Sequence, residues 1–166
     1  MFVSVAIRVF VLVFLMILGE SLGSSKGLVS VYDHYGVSAG GAELWKYPAT
    51  MRLTTGRRVY VFPCAMYTDR VAKYKYSVWR VSIGKRSIHC HIVDECDAGD
   101  CHENTWKARR LGGMLYDVHE SALSQLGIGM SLYNARVTYV GKIPRSKMGR
   151  VISSDGRRGY VPRLWH

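Results

Sequence analysis

The chain has 166 residues, 48% of them apolar and 11% aromatic, which is enough to bury one compact core and too apolar for a disordered tract. Lysine and arginine outnumber the acids 23 to 12, and the resulting charge of +11 favours acidic surfaces as partners. Charge of this kind does not choose between anionic glycans, pectin-like polymers, phospholipid head groups and acidic proteins.

Met1 to Arg8 is short and carries one positive charge, Val9 to Leu18 is continuously apolar, and Ser21-Leu22-Gly23 supplies small residues at a cut. That is the pattern of a secretory signal, since the apolar run is well short of the ~20 residues that span a bilayer. The expected product starts near Ser24, keeps no membrane segment, works outside the cell as a monomer, and does not meet nucleic acid. Four cysteines, Cys64, Cys90, Cys96 and Cys101, then imply two disulfides, with three possible connectivities.

Gly27 to Gly36 is a β-like run with Tyr32, Asp33, His34 and Tyr35 at its end, and Val37 to Glu43, with Gly40-Gly41, is a flexible loop. Met51 to Gly56 reads as strand into turn. Arg57 to Phe62 reads as a strand, with Pro63-Cys64 as its stop. Thr68 to Tyr76 is a polar connection. Ser77 to Ile83 and Ile88 to Cys96 flank Gly84-Lys85-Arg86-Ser87 and form a hairpin. Strand alternation puts His89 and His91 on one face and Cys90 on the other. The three therefore do not form a metal-ligand set, the histidines are expected to be exposed, and neither metal nor cofactor is expected. The favoured pairing joins Cys96 to Cys101 in a tight loop and Cys64 to Cys90 between two strands.

His102 to Arg110 is polar and basic and reads, through Leu111-Gly112-Gly113, as a long functional loop. Val118, Ala122, Leu123 and Leu126 share one helical face, so Asp117 to Gly127 reads as a helix that Asp117 caps and Gly127 ends. Met130 to Val140 alternates as a strand. The tail from Gly141 to His166 is basic, with a further hairpin expected at Val151-Ile152 and Gly159 to Val161. The residues thus describe a signal over 1–23, a mainly β domain over 24–140 and a basic extension over 141–166.

The hairpin, the phrase Ile92-Val-Asp-Glu-Cys-Asp97, Asp100-Cys101, and Tyr116 to Gly127 together resemble the kiwellin or ripening-related proteins. These belong to the barwin- and expansin-like double-psi β-barrels. Leu53-Thr-Thr-Gly56 and Asp33-His-Tyr35 are similar to two further kiwellin phrases, and the likeness spans about residues 30 to 140. It departs at Lys75-Tyr76, where kiwellins carry cysteine-glycine, and at Arg109-Arg110-Leu111, where they carry proline-proline-cysteine. The resemblance implies a six-stranded double-psi β-barrel with one or two short helices. It also implies a secreted, non-catalytic defence or wall-associated protein that binds a glycan or a pathogen protein through barrel loops.

Polysaccharide cleavage needs two carboxyl groups, one protonated and one ionised. The resemblance to family-45 glycoside hydrolases puts Asp117 and Asp33 at the acid and base positions if the chain is an enzyme. Expansins retain only the equivalent of Asp117. A binding groove is expected to use Asp94, Asp117, Tyr32, Trp45 and Trp106, with Lys107, Arg109 and Arg110 as a cationic rim for cell-wall polysaccharide or an acidic secreted protein. A protease inhibitor or effector on the same scaffold is a third reading. Peptide mapping without reduction is expected to recover the Cys96–Cys101 and Cys64–Cys90 links, and free thiols at Cys96 and Cys101 would remove this account of the loop between them.

Overall fold

A computed structural model describes residues 24–33, 38, 42–145, 148–152 and 158–162. The expected signal over 1–23 lies outside them. Strands β1 (Ser25–Tyr32), β2 (Ala49–Arg52), β3 (Arg58–Tyr67), β4 (Ser77–Ile83), β5 (Arg86–Cys96), β6 (Met114–His119) and β7 (Tyr133–Lys142) form one sheet. Its order is β2-β3-β5-β4-β7-β1-β6, and β6 pairs back onto β3. Six strands therefore close into a barrel, with β2 as an added edge. The β1–β6 and β3–β5 pairs are parallel and the others antiparallel, the mixed closed sheet of the double-psi form.

Alternation fills the barrel. Val29, Cys64, Val81, Cys90, Ile92, Tyr116, Val118 and Val137 join one buried cluster to which every barrel strand contributes. Ala122 and Leu126 close one end of it. The β4–β5 hairpin turns on Gly84-Lys85, and Gly84 has φ 57, a backbone state that costs glycine nothing. A second cluster on the outer wall packs Leu44, Tyr47, Ala49, Met51 and Leu53 against Val61, Val78, Val93 and Ile143. Disulfides join Cys64 to Cys90, on adjacent strands, and Cys96 to Cys101, the pairing expected from the strand positions.

Several local expectations are corrected. Pro63 does not stop β3, which runs on to Tyr67. On that side of the strand β2 pairs only as far as Val61, and β6 begins at Cys64, so the proline falls in the gap between two neighbours. The polar connection after it holds helix α1 (Thr68–Tyr74). The expected loop is helix α2 (Ala98–Arg110), whose narrow buried stripe is Cys101, Thr105 and Ala108. Asp97 begins it, accepting the Gly99 N–H on its side chain and the Cys101 N–H on its backbone.

The expected helix from Asp117 starts later. Residues up to His119 are β6, because Leu115 faces outward beneath α2 while Tyr116 and Val118 face the interior. Only a 3-10 turn (Glu120–Ala122) and α3 (Leu123–Leu126) are helical, and Gly127 ends α3 at φ 66. The described residues thus carry three α-helices where one or two were expected. Beyond β7, Ile143 is buried and donates its N–H to Tyr76. Strands β8 (Met148–Ile152) and β9 (Arg158–Pro162) pair as a separate hairpin.

Gly113 marks a close approach, since a Cβ there would lie 2.3 Å from the Lys26 carbonyl oxygen. Gly113→Ala is expected to destabilise the barrel by about 1–3 kcal/mol, because the obstacle is backbone of β1 and cannot rotate away. Urea unfolding reads this, and a loss below about 0.5 kcal/mol, the usual surface value, would contradict the close approach.

Candidate functional site

Ala65 organises the acids. On one side it is the register partner of Asp94 in β5, and on the other of Asp117 in β6. Adjacent strands are about 4.8 Å apart, so the two aspartates straddle one strand with Cα atoms roughly 10 Å apart and only a methyl group between them. Ala65 belongs to the cluster of Leu28, Cys96, Cys101, Ala108 and Leu115 under α2. Both acids therefore lie on the outer wall of the barrel, not in its interior.

Asp117 is 6% exposed. Its Oδ1 accepts the Ser30 hydroxyl proton at 2.7 Å, and its Oδ2 lies 3.4 and 3.6 Å from the sulfurs of Cys96 and Cys101. Those sulfurs are bonded to each other and carry no proton, so the contacts are packing and not hydrogen bonds. Asp94 is 7% exposed, and its Oδ1 accepts the Glu95 N–H at 2.9 Å. The Tyr32 hydroxyl is buried beside the pair without a hydrogen-bond partner. Burial, then the charges of Asp94 and Asp117, push its pKa up, so the phenol stays a proton donor. His119 stands edge-on to Tyr32 at 5.3 Å.

Asp117 is no helix cap. His119 takes that role, accepting the Ser121 N–H on Nδ1. Asp33 is exposed at the end of β1, outside the buried group. Trp45 is exposed on the 3-10 turn Leu44–Lys46, an element separate from the helix that carries Trp106.

The other expected residues share the outward face of α2. Trp106 is 48% exposed, and its ring lies 6.2 Å from that of His102, which is 6.3 Å from the ring of Tyr67 at the end of β3. The Arg109 guanidinium lies 5.5 Å from the Trp106 ring centre and 5.9 Å from that of Tyr67, and it also pairs with Asp69 of α1. Lys107 pairs with Glu103 at 2.6 Å, and Arg110 is exposed at the helix end. Tyr67, His102 and Arg109 thus surround Trp106. His102 escapes a sequence reading that takes the segment as a loop, although its spacing from Trp106, four residues, is that of neighbours on a helix.

His91 departs from expectation. It is fully buried because Tyr47 and Tyr76 close over it, while His89 on the same face stays partly exposed. Its Nδ1 meets the Tyr47 hydroxyl at 2.9 Å, and burial lowers its pKa to about 3. One group of possible metal ligands converges among the described residues, Cys96, Cys101 and Asp117 within 4.8 Å. Both sulfurs are engaged in the disulfide and offer no thiolate.

No known protein family and no curated protein matches the chain. Among solved structures, an apo expansin of Clavibacter michiganensis is similar in fold, with TM-score 0.44 and 12% identity over 71% of this chain. The chain spans 50% of the length of that protein.

The buried imidazole has a measurable signature. His91 takes up a proton near pH 6.5 when unfolded and near pH 3 when folded, so its contribution to stability is complete above 6.5 and lost as the pH falls towards 3. By pH 4 this amounts to at most about 3 kcal/mol. His91→Gln, which keeps a partner for Tyr47 but does not titrate, is expected to flatten stability against pH over that window in denaturant unfolding. Parallel curves for the two proteins would show that His91 protonates in the folded barrel as it does in solution.

Proposed function

We propose that this chain is an exported wall-associated protein that binds acidic polysaccharide without cleaving it. The observation that carries the reading is the outward face of α2, where Tyr67, His102 and Trp106 form a row of rings with Arg109 beside it. Exposed rings offer apolar faces to sugar C–H groups, and a cation held at their edge suits a carboxylated polymer. The net charge of +11 works in the same direction over longer range, and two disulfides suit an oxidising compartment. Asp117 fits the non-catalytic side of this reading. A carboxyl that is 6% exposed, bonded to Ser30 and packed against a disulfide is poorly placed to give a proton to a glycosidic oxygen.

One observation favours a second reading, in which Asp117 acts on wall polysaccharide. Asp94 and Asp117 face the same side across a single strand, and carboxyl pairs separated by about 6.5–9.5 Å serve inverting glycosidases. A shared assay separates the two: pull-down on pectin, cellulose, glucomannan, chitin and peptidoglycan, with reducing ends measured in the supernatant. The expected result is retention on pectin that weakens with added salt, no released sugar, and about tenfold weaker retention for Trp106→Ala. Sugar release that Asp117→Asn abolishes in a folded protein would establish the second reading.

A further inference from the structure

We propose that Asp69 is an internal competitor on the outward face of α2: its carboxylate occupies the Arg109 guanidinium that a polymer carboxylate would take, and so limits how tightly the face holds acidic polysaccharide. The inference rests on the reading of that face as a polysaccharide site and adds the residue that tunes it. Asp69 lies in the first turn of α1, which begins directly after Tyr67 at the end of β3. One short stretch of chain therefore brings both a ring and an acid to Arg109. The guanidinium lies 5.9 Å from the Tyr67 ring centre and 5.5 Å from that of Trp106, and its Nη2 donates to Oδ2 of Asp69.

An arginine set against two rings and one carboxylate shows the chemistry that it recognises. Sugar acids offer the same pair of groups, C–H faces for the rings and a carboxylate for the guanidinium. Asp69 holds its partner weakly. Its side chain is 44% exposed and that of Arg109 34%, and ion pairs this open to water are screened and readily exchanged. Its second cation, Nε of Arg70, is 3.8 Å away on a side chain that is 46% exposed. The rings keep Arg109 in place whichever carboxylate it meets, because the attraction of a cation to a ring face requires no anion. Where Asp69 stays beside the incoming carboxylate instead of leaving, like charges repel across the same guanidinium. Both routes act in one direction. The charge of Asp69 weakens the hold on an acidic polymer and leaves a neutral one unaffected.

Affinity is read by pull-down on polygalacturonate and on fully methyl-esterified pectin at one salt concentration. Asp69→Asn, which keeps an acceptor for Arg109 and removes the charge, is expected to bind polygalacturonate about threefold more tightly than the wild type, and the ester equally. Damaged folding cannot produce such a gain. Glu103→Gln removes the same charge from the pair with Lys107 and is expected to leave affinity within about 1.5-fold. In an Arg109→Ala background, Asp69→Asn is expected to add nothing, since the two residues act through one contact. Binding of polygalacturonate by the wild type with no gain in Asp69→Asn, an equal gain in Glu103→Gln, or a gain that persists without Arg109 would each overturn the inference and leave the polysaccharide reading standing. Absence of retention in the wild type and in Asp69→Asn alike would overturn both.

Discussion

Ten residues of β3 have to serve three neighbouring strands, and much of the structure follows from how they are divided. One edge of β3 pairs with β5 from Val61 to Tyr67. The other edge is shared, with Arg58 to Val61 on β2 and only Cys64 and Ala65 on β6. Barrel closure therefore rests on two residue pairs, Cys64 with Val118 and Ala65 with Asp117. Each is reinforced from outside the ladder. Cys64 is tied covalently to β5, and β6 is held from its far side by six register pairs with β1. Pro63, which has no N–H to give, stands where one neighbour has ended and the next has not begun.

That closure decides what Asp117 is available for. It sits on the closing strand, under the disulfide that starts α2, with Ser30 of β1 on its other oxygen. A residue held from three directions suits a structural role at the seam better than proton transfer to a polymer, which needs access from solvent. Helix α2 is differently placed. It is inserted between β5 and β6, outside the barrel, and its buried residues are small: Cys101, Thr105 and Ala108. Its outward residues can change without disturbing the seam. The exposed side chains of this helix and the rigidity of the barrel are thus separable properties.

The sequence made the period-2 elements legible. The β4–β5 hairpin, β1, β7 and both disulfide pairings follow from alternation, one glycine turn and the positions of cysteines on adjacent runs. It concealed features that depend on what lies alongside. Nothing local to Pro63 says that two different strands flank it. Alternation put His89 and His91 on one face, yet could not show that Tyr47 and Tyr76 would close over His91 and bury it while His89 stays partly exposed. Helix α2 was hidden by its own composition, because a stripe of cysteine, threonine and alanine carries little apolar signal, although Asp97 is a cap that could have announced it. At Asp117 the helical spacing of Ala122, Leu123 and Leu126 is real but begins after His119, and the strand before it is too short to declare its own period. The juxtaposition of Asp94 and Asp117 across Ala65 is a fact of topology, readable only once β6 is known to return to β3.

Tyr76 ties the second cluster to the barrel wall. It adopts φ 64, a conformation that suits glycine and costs other residues about 1–2 kcal/mol. Its backbone is fixed on both sides, the N–H donating to Ile92 and the carbonyl accepting from Ile143. Its ring packs on the second cluster, 6.4 Å from that of His91, which Tyr47 holds from another direction. The ring is only partly buried, so its packing offsets part of that backbone cost. Tyr76, His91 and Tyr47 thus join β5 to the segment that covers it. The lowered basicity of His91 belongs to that packing, since a charged imidazole in the same place would oppose it.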